Sequence, residues 1–282
     1  MTIDYASIKG QYVQSSASQP GTAGQIWYDS SNDNFNLTYL TAAGWATANS
    51  RTGGAGFREA SFGTQTAAIA ATGFTDSGGA APAKTTTQSY DGTDWTTSPG
   101  TLNTARSRIG PLGTSTATLA VAGTPPGTSA VESWNGSSWS EIAEINTARM
   151  NGGAAGIQTA GLFFGGESPL TGKTESWNGT AWTEVNDMNT ARQSSGQGAG
   201  NSNTDALAIG GEVSPGFTAN AETWNGTSWT EVANLATARG YHGCGGTGSI
   251  AIATGGRTPT FVANTEEWNV PSSVSNVTVD VD

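Results

Sequence analysis

The chain has 282 residues, of which 40 are glycine and only 12% are charged, and its net charge is −11. This composition is typical of short strands joined by tight turns, and the excess of negative charge argues against nucleic acid as a partner. A single cysteine, Cys244, excludes an internal disulfide and a multi-cysteine metal site, and no apolar stretch is long enough to predict membrane insertion.

The N-terminal part of the chain precedes any visible repeat. Residues 1–24 are polar and predict an arm that becomes ordered against a partner, and they show no secretory signal. Residues 25–29 and 34–40 are strand-like and flank a polar turn, so we expect a hairpin there. The turn itself, residues 29–34, has oxygen ligands that suit calcium, but a polar turn is the simpler interpretation.

A segment with two spaced aromatic residues, followed by Thr-Ala-Arg, then recurs along the chain. Its first aromatic residue falls at positions 90, 134, 177, 224 and 268, so the period is 43 to 47 residues. A period of this length predicts a repeat architecture. The aromatic and basic positions that define the repeat are Trp134, Trp139, Trp177, Trp182, Trp224, Trp229, Trp268, Arg106, Arg149, Arg192 and Arg239.

Each unit contains four strand-like stretches. A strand of small residues is followed by an apolar strand that ends in glycine, at positions 73, 123, 166, 211 and 256. The third strand carries the first aromatic residue, and the fourth begins at the second tryptophan. Asn-Gly or Asp-Gly between them favours a type I′ hairpin, in which the aromatic residues pair across the strands. Four strands per unit predict an all-β fold, a five-bladed β-propeller.

The last unit stops after Trp268 and has no fourth strand, whereas an orphan segment around Trp45 precedes the first unit. We therefore expect an N-terminal strand within residues 34–47 to close the last blade, which removes open strand edges. The predicted organisation is an N-terminal arm (1–24), a propeller (25–269, with the hairpin and closing strand in 25–47) and a C-terminal arm (270–282).

No residue pattern in the chain predicts catalysis, a cofactor or a metal site. Residues 243–248 fit G-x-G-x-x-G, but a strand follows instead of the helix that a nucleotide site needs. The single histidine, His242, fits a packed or channel-facing position better than a catalytic one. The recurring arginines and the glutamates of the third strands are expected to bind each other at every blade junction.

Binding is expected where the units differ, in the loops that follow the terminal glycines. Phe217 and Phe261 are the candidate aromatic anchors in these loops, and Glu167 and Arg257 are further candidate binding residues. The loops comprise residues 74–84, 124–130, 167–173, 212–219 and 257–263.

The order of a double glycine, a spaced aromatic pair and a basic residue resembles the kelch repeat, as in residues 163–166, Trp177 with Trp182, and Arg192. The resemblance covers about residues 45–269 and implies a β-propeller. The first unit departs from the pattern, since Thr72 replaces a glycine and Tyr90 replaces the first tryptophan.

The short, nearly identical units and residues 21–29 are also similar to kelch-like virion proteins of tailed bacteriophages, notably marine cyanophages. That similarity implies a non-enzymatic virion protein, a tail-fibre or appendage module or a capsid decoration, assembled in the host cytoplasm in several copies. The two arms would dock it to other virion proteins, and the loops would meet a partner protein or a host-surface glycan.

Two other classes of function remain open at this stage. A free carbohydrate-binding propeller lectin would need an equivalent pocket in each blade, whereas the loops differ from one another. A glycosidase or lyase would need paired catalytic groups, and the non-repeat acids show no special sequence context.

Overall fold

The computed structural model describes residues 49–51, 58–74, 82–123, 126–167, 169–193 and 198–270, and the backbone of three short strands nearer the N-terminus. Its contacts divide the chain into two compact units, Met1–Ala48 and Asn49–Asp282. The predicted arms lie outside the described residues, apart from Gln14–Ser15 and residue 270, so the predicted domain boundaries stay predictions.

The N-terminal unit contains one three-stranded sheet. Ile26–Asp29 and Asn34–Leu37 pair in antiparallel register, with Trp27 opposite Asn36. Gln14–Ser15 pairs in parallel with the first of these strands. Within the segment expected to close the propeller, residues 34–37 thus belong to this hairpin, and residues 38–47 lie outside the described residues.

The second unit is an all-β, five-bladed propeller whose sheets are antiparallel. Blade 1 contains Ala60–Thr64, Ala67–Ala71, Thr87–Tyr90 and Trp95–Thr97. Blade 2 contains Gly110–Gly113, Thr118–Val121, Val131–Trp134 and Trp139–Glu141. Blade 3 contains Gly153–Ile157, Ala160–Phe164, Thr174–Trp177 and Trp182–Val185. Blade 4 contains Ala199–Ser202, Asp205–Ile209, Ala221–Trp224 and Trp229–Val232. Blade 5 contains Gly243–Gly246, Ile250–Thr254 and Thr265–Asn269.

The first strand of each blade is the innermost, and its small residues allow neighbouring blades to approach closely. Gly110 shows the constraint, because a Cβ atom there would lie 2.5 Å from the ring of Phe163 in the next blade. Atoms cannot approach this closely in a packed interior, so the glycine is needed where a large side chain of blade 3 fills the space.

The third and fourth strands carry the aromatic pairs that define the repeat. Trp177 lies directly opposite Trp182 in the register, and their ring centroids are 5.2 Å apart. Such contacts between aromatic side chains on opposite strands stabilise a sheet beyond the burial of their area. The same pairing occurs in blades 1, 2 and 4, at centroid distances of 5.1, 5.3 and 5.5 Å.

The turn between the paired tryptophans differs from the predicted type I′ hairpin. A type I′ turn needs positive φ at both central residues, but Gly179 has φ of 92° whereas Asn178 is not in the left-handed region. The Asn178 side chain instead accepts hydrogen bonds from the amides of Thr180 and Ala181, both at 2.9 Å. The asparagine is therefore required as a hydrogen-bond acceptor within a four-residue loop.

The hydrophobic core is divided into clusters between neighbouring blades. One cluster joins Val121 and Val131 of blade 2 to Phe163 and Trp182 of blade 3, all of them buried. Equivalent clusters join blades 1 and 2, blades 3 and 4, and blades 4 and 5. The second tryptophan of a blade is thus buried against the preceding blade.

Blade 5 has three strands in the described part of the chain, and Thr265–Asn269 is its outermost strand there. A cleft of about 130 Å³ lies between this blade and blade 4, lined among others by Leu207, Ile209, Leu235 and Trp268. In blades 2 to 4 the equivalent position is filled by Trp139, Trp182 and Trp229. The cleft therefore lies where the second tryptophan packs in those blades, and blade 5 has no fourth strand among the described residues.

Candidate functional site

The repeated charged residues form buried contacts between blades. Arg149 follows the last strand of blade 2, and its guanidinium donates to Glu175 of blade 3 at 2.6 Å and to the carbonyl oxygen of Gly165 at 2.9 Å. Both side chains are at most 1% exposed. The same pairing joins Arg106 to Glu132, Arg192 to Glu222 and Arg239 to Glu266.

Burial is the largest influence on the pKa of Arg106, Arg149 and Arg192, and it lowers each of them. The partner glutamate acts in the opposite direction, so the ion pair compensates for the loss of hydration. These side chains are occupied by the scaffold and are inaccessible to a ligand. The structure places the repeat arginines and their glutamates at the junctions between blades.

A different set of polar residues surrounds the propeller axis on the loop face. Arg108 of blade 2 lies 3.4 Å from Glu167 of blade 3, whose carboxylate also accepts a hydrogen bond from Asn151. Asn151 donates in turn to the side-chain oxygen of Gln193 at 3.2 Å. Each blade junction from 2 to 4 is thus bridged by side chains that do not belong to the repeat.

The contacts continue through blade 5 and return to blade 1. The backbone of Gln193 pairs with that of Glu212, and the carboxylate of Glu212 accepts a hydrogen bond from the hydroxyl of Tyr241. The guanidinium of Arg58 lies over the ring of Tyr241, 5.9 Å from its centroid. We call this series of contacts, which runs from blade 2 through blades 3, 4 and 5 to blade 1, the axial belt; it comprises Arg58, Arg108, Asn151, Glu167, Gln193, Glu212 and Tyr241.

Four members of the axial belt have a left-handed backbone. Arg58, Arg108, Asn151 and Tyr241 have φ between 55° and 56°, and they occupy equivalent positions at the entrance to the first strand of blades 1, 2, 3 and 5. A non-glycine residue in this conformation costs on the order of 1 kcal/mol or more. The backbone conformation thus recurs at this position of the repeat, whereas the side chain there differs from blade to blade.

The two predicted aromatic anchors lie near the belt. The ring of Phe217 contacts Tyr241 edge to face at a centroid distance of 6.3 Å. Phe261 is 85% exposed and is bridged through the backbone to Arg257, which itself pairs with Gly240. The loop face therefore combines charged groups with aromatic rings that are available for contact.

Of the predicted binding residues, Glu167 lies in the axial belt, Phe217 contacts it, and Arg257 and Phe261 lie on the adjoining loop. Sequence reasoning missed the rest of the belt. Arg108, Asn151 and Tyr241 each stand two residues after a repeat arginine, where the residue type varies from unit to unit, as it does at the position directly after the arginine. These residues can be found in the sequence by aligning the repeat units and looking for positions that vary beside the recurring arginine.

His242 and Cys244 are not part of the belt. His242 is 4% exposed, and burial, followed by the nearby charge of Arg239, lowers its pKa to about 4. Cys244 is half-buried in the first strand of blade 5. Within the described ranges, no three His, Cys, Asp or Glu side chains are grouped as a metal site, and no helix is long and apolar enough to cross a membrane.

Comparison with known proteins supports the fold. No protein-family model and no curated protein matches the chain. Among solved structures, the one titled "Structure of YjhT" matches with a TM-score of 0.66 and 11% sequence identity, over 80% of this chain and 85% of that one. At this identity the likeness shows the propeller fold alone.

Proposed function

We propose that this chain is a non-enzymatic binding propeller of a bacteriophage particle, a tail-fibre or appendage module or a capsid decoration, whose loop face binds the host surface. The observation that carries the proposal is the axial belt. The ring is built from repeated residues, whereas the belt draws different side chains from each blade onto one partly exposed face. A rigid repeat scaffold with a variable face is a common design for recognition.

The belt suits recognition better than catalysis. Each of its carboxylates is held by a neighbouring donor, Glu167 by Arg108 and Asn151, and Glu212 by Tyr241. Groups engaged in this way provide a preorganised surface. The belt is also a single asymmetric site on the axis, which argues against a lectin with five equivalent pockets. The kelch-like repeat and its similarity to virion proteins of tailed bacteriophages support assignment to a particle.

Mass spectrometry of gradient-purified particles from infected cells tests the particle assignment. We expect peptides of this chain to band with the major capsid protein at a constant ratio through the density gradient. Recovery of the chain only from the soluble lysate, with none in the particle band, would contradict the proposal. A non-particle protein of the same infected lysate serves as the control for carry-over.

A further inference from the structure

Four Asn-Gly dipeptides occur in the chain, and the structure places them in two different environments. Three of them form the turns between the third and fourth strands of blades 2, 3 and 4, at Asn135, Asn178 and Asn225, and all three asparagines are exposed. The fourth is Asn151 with Gly152, at the axial belt, where Gly152 is buried. An asparagine that precedes glycine is especially prone to lose its side-chain amide, because glycine leaves its own backbone nitrogen open to approach.

The outer turns hold the asparagine side chain over the glycine that follows it. The side-chain oxygen of Asn178 accepts hydrogen bonds from the amides of Thr180 and Ala181, both at 2.9 Å. Because these are the second and third residues after the asparagine, its side chain folds back over the Gly179 nitrogen, which precedes both amides. The same two bonds recur in the turns of blades 2 and 4, at 2.9 to 3.0 Å.

The two amides in each outer turn have the arrangement of an oxyanion hole. Attack of the glycine nitrogen on the side-chain carbonyl carbon moves negative charge onto the oxygen that these amides already bind. Backbone N–H groups about 2.7 to 3.1 Å from an oxygen that gains charge stabilise such a transition state. The outer turns therefore promote the reaction beyond what the Asn-Gly sequence does alone.

Blade 1 shows that the same turn accommodates the product. Asp91 and Gly92 occupy the equivalent positions, and the Asp91 carboxylate accepts hydrogen bonds from the amides of Thr93 and Asp94, both at 2.8 Å. The bond from the Asp94 amide, followed by that from Thr93, lowers the pKa of Asp91. An aspartate thus makes the two bonds that an asparagine makes in the other blades.

We infer that Asn135, Asn178 and Asn225 convert spontaneously to aspartate or isoaspartate in the folded protein, whereas Asn151 does not. In each outer turn the glycine nitrogen attacks the side-chain carbonyl carbon, its proton passes to the departing nitrogen, and ammonia leaves as a five-membered cyclic imide forms. Water then adds to either carbonyl of the imide and opens it to aspartate or to β-linked isoaspartate. Conversion of all three asparagines changes the net charge from −11 to −14.

The axial belt protects Asn151. Its side-chain nitrogen donates to the carboxylate of Glu167 and, at 3.2 Å, to the side-chain oxygen of Gln193, so its amide is directed along the belt. Loss of the amide would leave a carboxylate against Glu167, and the two like charges would repel each other. The backbone of Gly152 is also confined, since a Cβ atom there would lie 2.6 Å from the ring of Phe163.

The added charges lie away from the loop face. The outer turn and the loop that follows the terminal glycine are at opposite ends of the third strand of a blade. Gly179 accordingly lies beside the turn between the first and second strands, where a Cβ atom on it would be 3.3 Å from the carbonyl oxygen of Thr159. The reaction depends on the scaffold alone and is independent of the proposed host binding.

Peptide mapping of the folded protein, after prolonged incubation in warm, mildly alkaline buffer, tests the inference. Trypsin separates the four asparagines into different peptides, because it cleaves after Arg108, Arg149, Lys173, Arg192 and Arg239. Mass spectrometry then measures the rate of conversion at each asparagine. We expect each outer asparagine to react at least about tenfold faster than Asn151 in the folded protein. The same incubation in urea is the control, and there all four should react at similar rates.

Similar rates at Asn151 and at the outer asparagines of the folded protein would overturn the inference. A difference of the same size in urea would also overturn it, because the selectivity would then come from the sequence. The product is tested with Asn178→Asp, which should keep the thermal unfolding midpoint of the wild type, whereas Asn178→Ala should lower it. An equal decrease in both variants would show that the folded turn rejects aspartate.

Discussion

Arg149 and Glu175 form an ion pair that is almost completely shielded from solvent, and it joins the connector leaving blade 2 to the third strand of blade 3. The carboxylate of Glu175 also accepts hydrogen bonds from the backbone amides of Asn146 and Thr147, at 2.6 and 3.3 Å. One glutamate thus fixes both the connector backbone and its arginine. Pairs of this kind join each of blades 1 to 4 to the blade that follows it.

We expect Glu175→Gln to lower the free energy of unfolding by about 3 to 5 kcal/mol, because it leaves the buried Arg149 charge uncompensated. Urea denaturation monitored by tryptophan fluorescence measures the change. Glu184→Gln is the matched control, since its bridge to Lys173 is half-exposed and its loss should have a much smaller effect. Equal effects of the two substitutions would refute a structural role for the buried pair.

Trp182 differs from its counterparts in one hydrogen bond. The indole Nε1 atoms of Trp139 and Trp229 donate to the hydroxyls of Thr87 and Thr174 in the preceding blades, at 2.8 and 2.9 Å. The equivalent residue opposite Trp182 is Val131, and the Trp182 Nε1 atom is buried without a partner among the described residues.

Val131→Thr should therefore stabilise the protein by about 0.5 to 1.5 kcal/mol, because its hydroxyl gives Trp182 an acceptor. The reverse exchange, Thr174→Val, should destabilise it by about 1 to 3 kcal/mol, because it leaves the Trp229 donor buried and unsatisfied. Urea denaturation midpoints of the two variants measure the difference. If both substitutions shift the midpoint in the same direction, the hydroxyl at this position does not stabilise the protein by accepting a hydrogen bond from the tryptophan indole.

His242 makes stability depend on pH. An imidazole with a pKa near 6.5 in the unfolded chain and about 4 in the folded one binds its proton first in the unfolded state. The contribution of the neutral imidazole to the free energy of unfolding is therefore complete above about pH 6.5, and it is lost as the pH falls from there towards 4. From pH 7.5 to pH 5 the expected loss is about 2 kcal/mol.

His242→Ile should remove most of this loss, since Ile109 is buried at the equivalent position of blade 2. Urea unfolding of the wild type and the variant at the two pH values measures the dependence. An identical decrease in both proteins would show that other groups govern the acid sensitivity.

The repeat allowed much of the fold to be predicted from the sequence. The recurring glycines and tryptophans predicted five blades, because each of them meets a structural requirement that is repeated in every blade. Gly166 allows a close approach of the backbone, and Trp177 makes a contact across the strands. The turn at Asn178 was assigned wrongly because asparagine has two uses before a glycine. It can adopt positive φ in a type I′ turn, or its side chain can accept hydrogen bonds in a longer loop, and the Asn-Gly dipeptide occurs in both.

The axial belt could not be predicted from the sequence, for a physical reason. Glu167 and Glu212 follow the paired glycines and have no partner nearby in the sequence; Arg108 is 59 residues away from Glu167. Only the radial arrangement of blades brings these side chains together. Recurrence identifies what builds the ring, whereas the belt consists of residues that do not recur.

Closure of the last blade stays a prediction. In support of it, Asn49 donates to Asp94 at 2.6 Å and Arg51 lies over the ring of Trp95, so the chain reaches the outer strand of blade 1. The connectors of the other blades likewise run along the outer strands of the next blade, as Asn146 donates to the carbonyl oxygen of Trp182.

Deletion of residues 1–47 should therefore lower the midpoint of thermal unfolding strongly, because the edge of Thr265–Asn269 and the cleft beside Leu235 would lose their cover. Deletion of residues 1–24 is the matched control and should have little effect. Differential scanning calorimetry of both truncated proteins measures the change. An unchanged midpoint for the longer deletion would rule out N-terminal closure.

We expect the loop face to bind the host and the repeated outer turns to take no part in binding. Competition of the purified protein with particle adsorption to host cells measures this most directly. The wild type and Thr180→Ala, altered in an exposed outer turn, should inhibit adsorption equally, whereas the double variant Phe217→Ala with Tyr241→Ala should lose inhibition by about tenfold or more. Undiminished inhibition by the double variant, or loss of inhibition in Thr180→Ala, would contradict the account.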